Sequence, residues 1–261
     1  MKLKPSVCRI NHSLAKSGGW HVLMRRKTNR HKNGTEWRNF YGRFKGKNLS
    51  NTKTDALLTE FKKYSLGNIS WEENPKRKKI RLSEIFHGKS VWLEIGFGGG
   101  EHLIHQARLN PDIGFIGCEP YQNGMAKLMG KLKANPCQNI KLYDGDIRNV
   151  FDVLTKNSIS KVFLLYPDPW PKKKHHRRRF VTQEFLIPLH GSMKPGSILR
   201  IATDIEDYVR QTLQEVPKAG FKWLVNDASD WRTPWQDWAA TRYEIKALKE
   251  QRTPHYLTFI A

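Results

Sequence analysis

Acidic residues are scarce in this sequence, and cysteine is scarcer still. Against 46 lysines and arginines stand 24 aspartates and glutamates, a formal charge of +22. Residues 1–35 carry nine lysines and arginines and no acid. A surplus of this size opposes compaction and attracts polyanions at long range, so nucleic acid is the expected partner. An anionic membrane surface is the rival, but no basic amphipathic helix with an aromatic-rich face is visible. Cys8, Cys118 and Cys137 lie far apart, with no CxxC or Cys/His ligand spacing. That argues against a disulfide framework and against a zinc site, and it fits a reducing cytoplasm. No apolar run approaches the roughly 20 residues of a membrane-spanning helix. Mean hydropathy is −0.66, so the apolar residues must be concentrated if a core is to form. Internal repeats and low-complexity tracts are missing too.

Composition divides the chain in three. Residues 1–35 show little apolar periodicity and read as a mostly disordered basic arm, with a mitochondrial presequence as the minor alternative. No long apolar stretch there suggests a secretory signal. Residues 36–90 form a bridge with RNA-contacting and packing roles. Within it, 40–47 interleaves Phe40, Tyr41 and Phe44 with Arg43, Lys45 and Lys47, a pattern that stacks on bases and phosphates or packs as a loop. From Val91 short apolar runs alternate with helical patterns. Strands are predicted at 91–95, 113–119, 140–143, 162–166, 197–203 and 256–260. Helices are predicted at 101–109, 121–134, 182–191, 205–219 and 242–251. The alternation implies an α/β domain over 91–261 with a doubly wound, largely parallel sheet. Ligands bind such sheets at the carboxyl ends of the strands.

The first of these strands runs into Glu94-Ile95-Gly96-Phe97-Gly98-Gly99-Gly100. Glycines there let a ligand approach the backbone. The dinucleotide fingerprint needs a further glycine where Glu101 stands, and an acid at a helix start competes with a pyrophosphate. S-adenosylmethionine has no phosphate, and Glu94 suits its cationic end. Glu119, at the end of the second strand, can accept both hydroxyls of a ribose. Asp144 and Asp146 follow the third strand; Asp146 is the choice for an adenine amino group, with a turn-forming role equally open.

After the fourth strand comes Tyr166-Pro167-Asp168-Pro169-Trp170-Pro171. Prolines at alternate positions impose a stiff, non-helical backbone that presents an acid and an indole beside the cofactor site. A rigid structural turn is the plain alternative. The motif resembles the (Asp/Asn)-Pro-Pro-aromatic box of amino-group methyltransferases without its second proline, so amino methylation is a near alternative and not the first choice. The run Lys172-Lys173-Lys174-His175-His176-Arg177-Arg178-Arg179 follows directly. Beside an active site it reads as a phosphate clamp, with a solvated loop or a nuclear signal as the readings for an isolated run. Its two histidines have no third partner in sight, so no metal is expected.

The order and spacing of Leu93-Glu94-Ile95-Gly96-Phe97-Gly98, Gly117-Cys118-Glu119-Pro120, Pro167-Asp168-Pro169-Trp170-Pro171-Lys172, Ala202-Thr203-Asp204 and Thr241-Arg242-Tyr243-Glu244 resemble the TrmB-type tRNA (guanine-N7)-methyltransferases over about 36–261. The resemblance implies a Rossmann-like class I fold with a seven-stranded sheet whose last strand is antiparallel. It implies methyl transfer from S-adenosylmethionine to N7 of guanosine 46 in the tRNA variable loop, in the cytoplasm. It also implies roles for residues. Glu94, Gly96, Gly98, Glu119, Asp146 and Asp168 would meet the cofactor, with Asp168 also catalytic. Lys172, Asp204, Thr241, Arg242, Tyr243 and Glu244 would meet the RNA. Arg242 and Tyr243 stand where the family often has lysine and phenylalanine, which keeps the charge and the ring. Three things stay open: a non-catalytic RNA-binding protein on the same fold, an exocyclic amino target, and the choice between monomer and homodimer.

Overall fold

The computed structural model describes residues 38–261, so the basic arm and the presequence alternative lie outside the described residues. The strands are β1 (Ser90–Ile95), β2 (Ile113–Cys118), β3 (Ile140–Tyr143), β4 (Ile159–Leu165), β5 (Met193–Thr203), β6 (Lys222–Trp223) and β7 (His255–Ile260). The helices are α1 (Asn51–Tyr64), α2 (Leu82–Ile85), α3 (Glu101–Leu109), α4 (Gln122–Ala134), α5 (Ile147–Phe151), α6 (Gln183–Ser192), α7 (Glu206–Lys218), α8 (Ser229–Arg232) and α9 (Arg242–Lys249). A 3-10 helix spans Lys173–Arg178.

The sheet runs β3-β2-β1-β4-β5-β7-β6. Strands β1 to β5 are parallel, and β7 lies antiparallel between β5 and β6. This is the seven-stranded, mostly parallel α/β sheet with an antiparallel last strand that the sequence led us to expect. Strand order reverses between β1 and β4, which opens a crevice beyond their carboxyl ends. The antiparallel pairing of His255 with Thr203 places the start of β7 at the same edge. The chain leading into β7, which includes α9, therefore reaches that crevice.

Helices cover both faces, which is why the central strands are mostly apolar. Leu93, Ile116, Val162, Leu199 and Phe259 are fully buried. On one face Met125, Leu128, Met129 and Leu132 form the buried side of α4, at the 3-4-7 spacing of a helix. Leu57, Phe61 and Tyr64 of α1 pack into the same cluster. The stretch after α1 is stitched to the sheet by backbone bonds from Leu66 N to Leu142 O (2.9 Å) and from Ile80 N to Val153 O (2.8 Å). Leu82 and Phe86 then enter the main core. Among the described residues no helix is long and apolar enough to cross a membrane.

Candidate active site

The turn after β1 is left-handed at Gly96 (φ +73°), Gly98 (φ +57°) and Gly100 (φ +74°), a path that side chains resist. It is held from behind. Glu119, at the end of β2, accepts the N–H of Gly98 at 2.6 Å through one carboxylate oxygen and that of Tyr121 at 2.9 Å through the other. A Cβ on Gly124 would meet Gly98 O at 2.3 Å, so the first turn of α4 rests directly on the glycine turn. Burial pushes the Glu119 carboxyl up to about 7, while the two N–H groups pull it down; Asp168 adds to the rise and Arg242 opposes it.

Glu94 is buried at the end of β1 and bonds His102 Nδ1 at 2.8 Å. The imidazole is packed edge-on to Phe163 and against Trp238. Asp146 caps α5 by accepting the N–H of Arg148 at 2.9 Å, and its carboxylate also grips the Arg148 guanidinium. Arg148 is buried, pairs with Glu184 as well, and donates to Asn39 O at 2.8 Å. The adenine-binding candidate thus stands in an ion-pair network that reaches the segment 38–47.

That segment forms one lip of a cleft of about 1290 Å³, lined by Tyr41, Arg43, Gly98, Glu119, Asp146, Tyr166, Asp168, Arg242 and Tyr243 among others. Arg38 pairs with Asp152 at 2.7 Å, Gly46 N donates to Asn123 Oδ1 at 2.9 Å, and Gln122 N donates to Phe44 O at 2.9 Å.

Asp168 projects from the loop after β4 and is exposed to the cleft. Partial desolvation by the walls raises its carboxyl, with Arg43 opposing. The loop is left-handed at both ends, at Tyr166 (φ +49°) and Trp170 (φ +43°). Its floor is fixed by Tyr166 N to Ala202 O (2.7 Å) and by Arg179 Nε to Pro169 O (2.7 Å).

The basic run does not act as one group. Lys172, Lys173, Lys174 and Arg177 are exposed. Arg178 lies between two rings, 4.9 Å from Tyr41 and 5.0 Å from Trp170. Arg179 is 1% exposed and faces the protein interior. The expected clamp therefore loses its last cation, because Asp207 and Gln211 of α7 accept from that side chain.

The tail forms the opposite lip. Thr241 caps α9 by accepting Glu244 N at 3.2 Å. Arg242 and Tyr243 lie on the glycine turn: a Cβ on Gly98 would be 3.1 Å from Arg242 Nη2 and 3.5 Å from the Tyr243 ring. Tyr243 faces Tyr166 with ring centroids 6.5 Å apart and planes inclined by 20°. Glu244 is buried and accepts from Trp238 Nε1 at 2.6 Å and from the Tyr256 hydroxyl. Asp204 accepts from Arg252 Nε at 2.6 Å. Sequence reasoning gave no individual role to Tyr166, His102 or Arg148, and took Arg43 only as part of the segment 40–47. Among these, Tyr166 stands next to the proline loop and Arg43 lies in the aromatic-basic segment, so both carried a signal.

A glycine turn after the first strand, an acid after the second and this strand order define the class I methyltransferase architecture. The 16S rRNA methyltransferase KamB shares it: its crystal structure aligns with a TM-score of 0.52 over 68% of this chain and 92% of its own, at 16% identity. A family described as "Putative methyltransferase" matches residues 88–257. The proteins named tRNA (guanine-N(7)-)-methyltransferase from Ruegeria sp. and Roseobacter denitrificans are 60% and 61% identical to this chain, covering 88% and 85% of it and 90% and 96% of themselves. The protein of that name from Agrobacterium fabrum is 46% identical over 85% of this chain and 94% of its own. The chain belongs to the TrmB family of tRNA methyltransferases.

Proposed function

We propose that this protein transfers the methyl group of S-adenosylmethionine to N7 of guanosine 46 in the variable loop of tRNA, in the cytoplasm. The observation that carries the reading is Asp168, presented rigidly into a cleft whose far wall is the glycine turn and Glu119. The cleft fits the donor. Its turn is free of side chains at Gly96 and Gly98. Glu119 spends two of its roughly four lone-pair sites on backbone N–H groups, which leaves acceptors for two ribose hydroxyls. Glu101, at the start of α3 and paired with Lys131, makes the spot unfavourable for a pyrophosphate. Glu94 and Asp146 complete the acidic set for the amino end and the adenine. Bound there, the donor supplies an electrophilic methyl on a sulfonium centre.

Guanine N7 has a lone pair and no proton to lose, so positioning and electrostatics dominate. Asp168 orients the base by accepting from its N1–H or N2–H and stabilises the positive charge that methylation creates. The near-parallel rings of Tyr166 and Tyr243, with centroids 6.5 Å apart, offer aromatic faces on which a planar base can stack. Two aromatic faces also favour a cationic product. Thr241 and Arg242 sit beside these rings. Asp204 and Glu244 support the cleft from outside its lining, Asp204 by holding Arg252 and the buried Glu244 by holding Trp238 and Tyr256. Lys172, with the exposed Lys173, Lys174 and Arg177, holds RNA phosphates.

Asp168→Asn tests the central assignment. Its kcat is expected to fall about 10²–10³-fold with cofactor and tRNA affinity kept; undiminished transfer with intact binding overturns the role. Incubation of unmodified tRNA with labelled cofactor, followed by nucleoside mapping, tests the whole reading. Methylation of an exocyclic amine, or no methylation, would sink it.

A further inference from the structure

The loop that carries Asp168 is poorly equipped to hold itself. Pro167, Pro169 and Pro171 contribute no N–H to any turn of its own. Tyr166 and Trp170 adopt left-handed backbone that non-glycine residues keep only when their surroundings enforce it. On one side of Asp168 the enforcement is the sheet, through Tyr166 N and Ala202 O. On the other side it is a side chain. Arg179 Nε donates to the carbonyl of Pro169, the residue after Asp168, at 2.7 Å.

The rest of that guanidinium is locked to α7. Nη2 donates to Asp207 Oδ2 at 2.7 Å and Nη1 to Gln211 Oε1 at 2.9 Å. The group also lies 5.3 Å over the buried Tyr208 ring. Tyr208, Val209 and Val216 fasten α7 in the main core. Arg179 is thus a rigid strut between the core and the carbonyl next to the acid. At 1% exposure it is out of reach of an RNA phosphate, although it ends a run of cations. Arginine suits the task because its planar fork addresses several acceptors at fixed angles, which a lysine ammonium does not.

We propose that Arg179 is a positioning residue, which sets where Asp168 meets the guanine base by pinning the Pro169 carbonyl to α7. This rests on the reading of Asp168 as the group that orients the base.

The test is Arg179→Lys, which keeps the charge and loses the fork, assayed with full-length protein, cofactor and unmodified tRNA transcript. The expected result is a kcat lower by roughly a hundredfold, the scale of an ångström-sized misplacement. Affinity for tRNA and its salt dependence should stay as in wild type. Unchanged kcat overturns the proposal. So does a loss of tRNA affinity with a flatter salt slope, since that marks a phosphate contact. If Arg179→Lys does not fold, Asp207→Asn loosens the same strut from the α7 end; a fall in kcat at unchanged affinity supports the proposal, and unchanged kcat overturns it. A double-mutant cycle separates this proposal from the one it rests on. If Arg179 acts through Asp168, the Asp168→Asn/Arg179→Lys protein loses no more than Asp168→Asn alone. Additive losses overturn the strut, whereas an active Asp168→Asn protein overturns the role of Asp168 instead.

Discussion

Glu119 offers a sharp test of how the cofactor wall is built. Burial holds its carboxyl at about 7 against an ordinary 4.5, despite the N–H groups of Gly98 and Tyr121. Ionising it therefore costs the folded protein more than the unfolded chain. Its contribution to stability is complete below pH 4.5, declines as pH rises through the interval, and is gone above about 7. The displacement corresponds to roughly 3 kcal/mol. Glu119→Gln replaces the carboxylate by a neutral group of the same shape but forfeits one of the two backbone hydrogen bonds, at about 1 kcal/mol. Urea unfolding at pH 8 should then find the variant more stable by about 1–2 kcal/mol. The decline of wild-type stability between pH 5 and 7 that this group contributes should vanish in the variant. Cofactor binding should run the other way. Ribose hydroxyls donate to the ionised form, so binding releases a proton and the affinity of wild type rises with pH towards 7. Calorimetry in two buffers of different ionisation heat reads that proton directly. An equal pH dependence of stability in both proteins, or cofactor binding without proton release at pH 6–7, would refute the reasoning.

Three further outcomes are expected. Gly124→Ala sets a methyl 2.3 Å from Gly98 O, so α4 must back away; cofactor Kd should rise about tenfold or more and stability fall by about 1–3 kcal/mol, read by titration calorimetry and thermal unfolding. Replacing Lys172, Lys173, Lys174 and Arg177 together by serine should reduce the slope of log affinity for tRNA against log salt by up to about 3, since each phosphate contact adds about 0.7–0.9. Anisotropy titrations across salt concentrations measure it, and an unaltered slope excludes the clamp. Tyr243→Ala should lower kcat/KM by about 10–100-fold, the worth of one stacked base, while Tyr243→Phe stays near wild type.

Much of the fold was legible because burial on both faces of a parallel sheet writes itself as short apolar runs. Helix α3 has the predicted bounds, 101–109, and β3 the predicted 140–143. β6 left no trace, since Lys222 and Trp223 are both exposed and two residues make no pattern. α5, with five residues, is too short for a helical period. α1 was passed over although Leu57, Phe61 and Tyr64 stand at helical spacing, because Leu58 faces solvent at 48% and lysine, threonine and asparagine dilute the stripe. In the candidate site, the glycine turn was readable because left-handed backbone demands glycine, whereas Glu119 was expected as a ribose acceptor and its bonds to the Gly98 and Tyr121 N–H groups were not foreseen. The ties that hold the site were not. Arg148 reaches Asn39, 109 positions away, and nothing local to either residue signals it. Composition treats the cations of 172–179 alike, and only the proximity of α7 turns Arg179 inward while Lys172, Lys173, Lys174 and Arg177 face solvent.

The direction of β7 has a consequence for how the protein comes into being. Because that strand runs against its neighbours, the residues just before it, Thr241 to Glu244, return to the crevice made by strands synthesised far earlier. The opposite lip, 38–47, belongs to the early part of the chain. A nascent chain that ends before Thr241 holds the glycine turn, Glu119 and Asp168 but lacks one wall of the cleft. A finished active site therefore waits until α9 and β7 have followed the parallel strands, and a chain that stops before Thr241 should carry out no methyl transfer.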